Sequence, residues 1–132
     1  MKELLAADYI RRAKIRVKII KEFFKERDYA DVIRVSQEIV ELVEKAILLK
    51  MGIVPPKWHD VIDVILETKE KLPEEIGKKI SKLRRGAKWL RSQREIAFYG
   101  DEDFLPLKEY TLKDAKKAYE IAKKFLEIAE KI

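Results

Sequence analysis

The stretch from Asp28 to His59, DYADVIRVSQEIVELVEKAILLKMGIVPPKWH, constrains this chain more than any other. Val32, Ile39, Val43 and Ala46 recur at helical spacing, and Ile33, Val40 and Ile47 widen the stripe. A helix this apolar has to be covered on most of its circumference, so the remaining helices must pack around it. Asp28 is placed to cap its start, Gly52 to end it, and Pro55 and Pro56 to keep it from resuming before Trp58 and His59. Along one side, Gln37, Glu41 and Lys45 follow one another at four-residue intervals and form a polar row, with Glu41 and Lys45 in the favourable order for an ion pair.

The same periodicity runs through the rest of the chain. A first helix from about Glu3 to Glu26 carries Ala6, Ile10, Ala13, Val17, Ile20 and Phe24 on one face and Arg11, Arg12, Lys14, Arg16, Lys18 and Lys21 on the others. A short helix is expected over about Trp58–Lys69, with Pro73 as the next break. A fourth runs from Glu74 to about Phe98, with acids at its positive end and an inner stripe of Ile76, Ile80, Leu83, Ala87, Leu90, position 94 and Ala97. After the loop DEDFLP, a fifth begins at Thr111, where Thr111 and Asp114 form a capping pattern, and packs through Ala115, Ala118, Ala122, Phe125 and Ala129. Strand signals, repeats and low-complexity tracts are absent. The expectation is an all-α protein, an antiparallel up-and-down bundle of four long helices and one short one, forming a single domain over residues 1–132.

Composition narrows the function classes. At 47% hydrophobic and 41% charged, the 132-residue chain buries a core and is not disordered. Without cysteine there are no disulfides, and one His excludes a Cys/His metal cage. A Mg²⁺ held by carboxylates and a substrate phosphate would leave no such trace. No cofactor is expected. No apolar run reaches the roughly 18 residues of a membrane span, and the mixed charges of KELLAADYIRRAK do not read as a signal peptide, so a cytoplasmic protein is expected. The absence of Asn, scarcity of Gln and abundance of Lys and Glu resemble a thermophile's composition.

The net charge of +6 is concentrated. Residues 1–27 hold nine Lys or Arg against four acids, and residues 73–98 eight against three, while 28–72 and 99–132 are slightly acidic. Two basic helices suit an anionic partner such as RNA, a nucleotide phosphate or an acidic protein face, although ordinary solubilising charge accounts for them as well.

Arg94 is the sharpest anomaly, a guanidinium placed on a core stripe, with Arg91 one turn before it on the flank. Together they could grip phosphate through planar donor forks. Alternatively, Arg94 pairs with Asp101, Asp103 or Glu41, or the stripe stops short of it. Gln37, Glu41 and Lys45 could line a polar groove, or belong to a solvated face or a buried network. His59 titrates nearest neutrality but is well placed simply to cap the third helix. Tyr99, Tyr110 and Trp89 could stack on bases or pack at helix ends. No P-loop or Gly-x-Gly-x-x-Gly is present.

In order and spacing, Asp8 and Ala13, Asp28-Tyr29-Ala30, Ser36-Gln37, Glu41, Lys45 and Leu48 make up the first half of a pattern. Gly52, Pro55 and His59, then Tyr99-Gly100-Asp101, then Tyr110-Thr111, Asp114, Ala115 and Ala118 complete it. Spanning nearly the whole chain, this pattern resembles the HEPN domains, small helical proteins of prokaryotes with relatives in higher eukaryotes. The resemblance implies an antiparallel helical bundle, commonly a homodimer, often encoded beside a minimal nucleotidyltransferase in a toxin and antitoxin arrangement. It also implies, for many members, a metal-independent ribonuclease whose site is an Arg followed after four to six residues by a His. Arg94 stands at the Arg position, but Tyr99, Gly100 and Asp101 stand where the His would be, and His59 matches a separate position in the family. The expectation is therefore a nucleotide- or RNA-binding module with Arg94, Arg91, Lys45, Glu41, Gln37, Tyr99 and His59 at its site. The alternatives are a ribonuclease with a departed site, using Arg94 with Tyr99, Asp101 or His59 as base, or a protein that only dimerises or docks a partner.

Overall fold

In the computed structural model, which describes residues 1–57 and 60–132, four long helices carry the fold. α1 (Lys2–Lys25), α2 (Tyr29–Lys50), α4 (Glu74–Tyr99) and α6 (Leu112–Glu130) are joined by short connections, which contain α3 (Val61–Glu67), a 3₁₀ turn over Lys69–Lys71, and the single-turn α5 (Pro106–Glu109). No strand occurs among the described residues; one isolated bridge, Asp101 with Phe104, closes the turn after α4. The all-α bundle and its four long helices are those expected. The acidic loop contains α5 in addition, and Trp58 and His59, where the third helix was expected to begin, lie outside the described residues.

The capping residues act as read. The Asp28 carboxylate accepts from the Asp31 amide at 3.1 Å, and the Thr111–Asp114 box is complete, with reciprocal bonds of 3.2 and 2.9 Å. Gly52 takes φ +81° just past α2, a conformation that costs other residues a Cβ clash. The sharp turn between α1 and α2 instead puts a non-glycine, Arg27, at φ +58°.

α2 is the axis of the molecule. Val32, Ile33, Ile39, Val43, Ile47 and Leu48 are fully or almost fully buried, and α1, α4 and α6 all pack on it. Ala6 of α1 meets Ala46 and Leu49 at the far end of α2, so the two helices run antiparallel. Lys50 at the end of α2 donates to the Ala129 carbonyl at the end of α6 at 2.9 Å, so these two run parallel. In an up-down-up-down bundle that makes α2 and α6 a diagonal pair, and here the diagonal is in close contact. α1 and α4 pack on α2 and α6 rather than on one another, which leaves the outward face of α2 open between them. The alanines of α6 (Ala115, Ala118, Ala122, Ala129) are buried, and Gly86 of α4 admits Ile121, whose Cδ1 would lie 2.7 Å from an added Cβ.

Candidate functional site

The open face of α2 is charged along most of its length, with Asp31, Arg34, Glu38, Glu41 and Lys45 half-buried along it and Leu42 among them. Arg34 donates to Asp31 at 2.8 Å and to Glu38 at 2.7 Å, and its guanidinium lies 5.3 Å from the centre of the Phe98 ring of α4. From the other wall, Arg16 of α1 donates to the second oxygen of Glu38 at 3.1 Å. Glu38 is thus bound tightly from both sides. One turn on, Glu41 faces Lys45 at 3.5 Å and Arg94 of α4 at 3.6 Å, both beyond hydrogen-bond length. Arg94 keeps 57% of its side chain in solvent.

Two cavities share this floor. One, of about 410 Å³, lies between α2 and the end of α4 and is lined by Arg34, Gln37, Glu38, Arg94, Glu95, Phe98 and Tyr99. The other, of about 280 Å³, lies between α2 and α1 beside Tyr9, Arg12, Arg16, Glu41 and Lys45. Basic residues of the first and fourth helices therefore border the same face from opposite sides. Phe98 and Tyr99 form an edge-to-face pair with centroids 4.7 Å apart, and both are exposed, Tyr99 by 78%. The arrangement offers a loosely held guanidinium for an anion and, beside it, aromatic surface for a flat ring.

The position of Arg94 corrects the expectation of a guanidinium on the core stripe. Past Leu90 the inward line of α4 runs through half-buried Gln93 to Ala97, and Arg94 sits beside it facing outward. Gln93 is tolerated there because its side-chain carbonyl accepts from the Tyr110 hydroxyl at 2.7 Å. Tyr110 is itself buried, which together with Asp114 pushes its hydroxyl up to about 12. It packs as a core residue and Trp89 lies under Lys117 at 4.2 Å, so of the three aromatic candidates Tyr99 alone faces the groove.

Among the other candidates, Gln37, Glu41, Lys45, Arg94 and Tyr99 come together along the groove. Asp101 does not join them. Its carboxylate accepts from the Asp103 amide at 2.8 Å and its backbone pairs with Phe104, so it serves the turn. Arg91 is exposed and acts electrostatically on Glu44. His59 lies outside the described residues. Among the described residues no cluster of three His, Cys, Asp or Glu could hold a metal, and no helix is long and apolar enough to cross a membrane.

Arg34, Glu38 and Phe98 were missed at the sequence level. Arg34 and Glu38 share a helix face with Glu41 and Lys45 at alternating four- and three-residue steps and could have been found by that spacing; nothing marked Phe98. Glu44 was missed too. It is buried against α3 and α4 with one oxygen unpartnered among the described residues, and burial, then Asp60 and Glu41, push its carboxyl up to about 8 against the pull of Arg91 and Lys88. Its burial beside Asp60 and Glu41 thus favours the protonated form.

A search among curated proteins gives no match. The family profile described as HEPN domain, however, matches residues 6–132, from the second turn of α1 past the end of α6, and the chain belongs to the HEPN domain family.

Proposed function

We propose that this HEPN protein is a non-enzymatic module that binds nucleotides or RNA in the groove over α2. Arg94 is the phosphate ligand and the Phe98–Tyr99 pair is the surface on which a base lies. One observation carries the reading: Arg94 stands half-exposed and without a hydrogen bond, beside two exposed aromatic rings, in a cavity of about 410 Å³, the size range of small-molecule sites. An incoming phosphate replaces a 3.6 Å contact to Glu41 with a bidentate pair, which is shorter and stronger. Gln37 supplies an amide to the same cavity, while Glu41 and Lys45 set the charge of its floor.

The reading includes a homodimer. Leu105 and Leu107 are both more than half exposed just beyond the end of α4, and a second copy covering them, beside the Phe98–Tyr99 pair, would bring two grooves together. It also includes work beside a minimal nucleotidyltransferase, an arrangement suggested by the family resemblance alone. Ribonuclease action is not favoured, since Asp101 is engaged in its turn and Tyr99, Gly100 and Asp101 stand where the family resemblance would place the His.

The test is filter binding of end-labelled single-stranded RNA in EDTA, with the same samples run on a gel, for the protein and for Arg94→Ala. Binding without cleavage, weakened about tenfold or more in Arg94→Ala at low salt, is the expected outcome. Equal affinity in the two proteins would remove Arg94 from the site, and cleavage lost with Arg94 would make the protein an enzyme. Sedimentation of a monomer at micromolar concentration would contradict the dimer.

A further inference from the structure

The basic side chains of α4 divide between two faces with opposite fates. On the face toward α2 and α3, Arg84 meets Asp63 at 3.0 Å, Lys88 meets Asp60 at 2.7 Å and Arg94 meets Glu41 at 3.6 Å. On the opposite face α4 presents Lys82, together with Lys79 at 3.8 Å from Glu75, to α6, which answers with more lysines. A cleft of about 270 Å³ at this seam is lined by Lys79, Lys82, Lys124 and Lys131, with Glu127 as its one acid. Lys117, held 4.2 Å from the Trp89 ring centre, continues the row.

Sorting by the fold produces this surface. By sequence, residues 99–132 are slightly acidic, but the acids of α6 are used elsewhere. Asp114 closes the capping box, Glu120 pairs with Lys123 at 2.7 Å, and Glu130 pairs with Lys14 of α1 at 3.4 Å. Lys82, Lys117, Lys124 and Lys131 have no carboxylate within ion-pair distance among the described residues, whose pairs otherwise take up most of the charge of α3 and α4. Gathering like charges without counter-charges is unfavourable for the protein alone and becomes favourable when a polyanion arrives.

We infer that the α4–α6 seam is a second binding surface, separate from the groove, that tracks the phosphodiester backbone of a nucleic acid. Lys117, Lys124 and Lys131 recur every seven residues, an axial step of about 10.5 Å on a helix and about the rise of three nucleotides in one strand. Lysine ammonium groups are mobile point charges that suit a repeating backbone, whereas a single phosphate calls for the fork of an arginine. The large exposed apolar side chains lie on α1, around Phe98–Leu112 and at a few isolated positions, and none lies on the seam between Lys117 and Lys131. A docked protein would need such anchors there. The inference does not depend on the groove binding anything.

The test is fluorescence anisotropy with a 5′-labelled single-stranded 20-mer of mixed sequence, between 50 and 200 mM salt. Lys82→Glu/Lys124→Glu is compared with Lys18→Glu/Lys21→Glu, which makes the same charge change on exposed positions of α1. The seam variant loses more than about tenfold in affinity and its log K–log salt slope falls by about 1.4, two contacts at about 0.7 each, while the α1 variant loses less than about threefold. Lys82→Gln/Lys124→Gln, which keeps the fold neutral at both sites, shifts the same way by less. Equal losses in seam and α1 variants, an unchanged seam variant, or displacement of the oligonucleotide by polyglutamate at equal charge would overturn the inference. AMP binding separates the two surfaces: the seam variant keeps it if the groove is a nucleotide site, and Arg94→Ala leaves the seam's salt slope in place.

Discussion

The groove over α2 and the seam between α4 and α6 are both lined by cations, and they differ in what those cations touch. In the groove, Arg16 and Arg34 are hydrogen-bonded to Glu38, and Arg94 and Lys45 stand off Glu41 at 3.6 and 3.5 Å. In the seam, Lys79 reaches Glu75 at 3.8 Å, and Lys82, Lys124 and Lys131 have no carboxylate within ion-pair distance among the described residues. Positive charge that is already compensated gives geometry and selectivity with little long-range field, whereas uncompensated charge attracts polyanions strongly and without regard to sequence. Net charge per segment misses this distinction, because it depends on which acids the fold turns toward which bases.

The comparison breaks most severely at Gly100, which ends α4 one residue after Tyr99 at φ +69°. A Cβ there would stand 2.6 Å from Pro106 Cδ and 2.7 Å from the Phe104 carbonyl oxygen. Gly100→Ala is expected to cost about 3 kcal/mol or more in urea unfolding, and to abolish groove binding while the distant seam keeps its salt-dependent oligonucleotide binding.

Glu44 gives the next largest effect. Its carboxyl is raised from an ordinary 4.5 to about 8, so the folded protein holds a proton that the unfolded chain releases. The stability that neutral Glu44 contributes is complete below about pH 4.5 and drains away as pH rises to about 8. Asp28, raised to about 6 by burial first and then by Asp31, adds a loss of the same sign lower in the range, so the difference between proteins is the informative quantity. Glu44→Gln cannot ionise. Relative to the unsubstituted protein it gains stability between pH 5 and pH 9, by on the order of 2 kcal/mol or more, read from parallel urea titrations. A constant difference would show that Glu44 titrates as an exposed acid.

Removing the compensating acids sharpens the comparison by making the groove resemble the seam. Glu38→Gln/Glu41→Gln frees Arg16, Lys45 and Arg94, leaves Arg34 on Asp31 alone, and is expected to tighten oligonucleotide binding about three- to tenfold at 50 mM salt, with a steeper salt slope. Unchanged affinity would mean that nucleic acid does not reach the groove. The smallest effect belongs to Arg27, which lies at φ +58° away from both surfaces; Arg27→Gly raises stability by about 0.5–1 kcal/mol without changing either binding activity.

Much of the fold was legible because helices declare themselves by period. The α2 stripe, the Asp28 and Thr111 caps and the Gly52 stop all stand where spacing put them. The site was legible in part. The row of Gln37, Glu41 and Lys45 does face a groove, yet Arg94 was carried onto the core stripe because apolar counting passes over Gln93, a half-buried polar residue whose inward place rests on a hydrogen bond from Tyr110, 17 positions away. Glu44 escaped notice because its surroundings, Asp60, Lys88 and Arg91, come from other elements. α5, at four residues, is too short for any period to show.

The most direct measurement is a ¹H–¹⁵N spectrum of the protein titrated with AMP up to millimolar concentration, repeated with Arg94→Ala. Saturable shifts confined to Arg34–Lys45 of α2 and Arg94–Tyr99 of α4, and lost in the variant, are the expected result. No saturable shift, or shifts centred on α6 that survive Arg94→Ala, would contradict a nucleotide site in the groove.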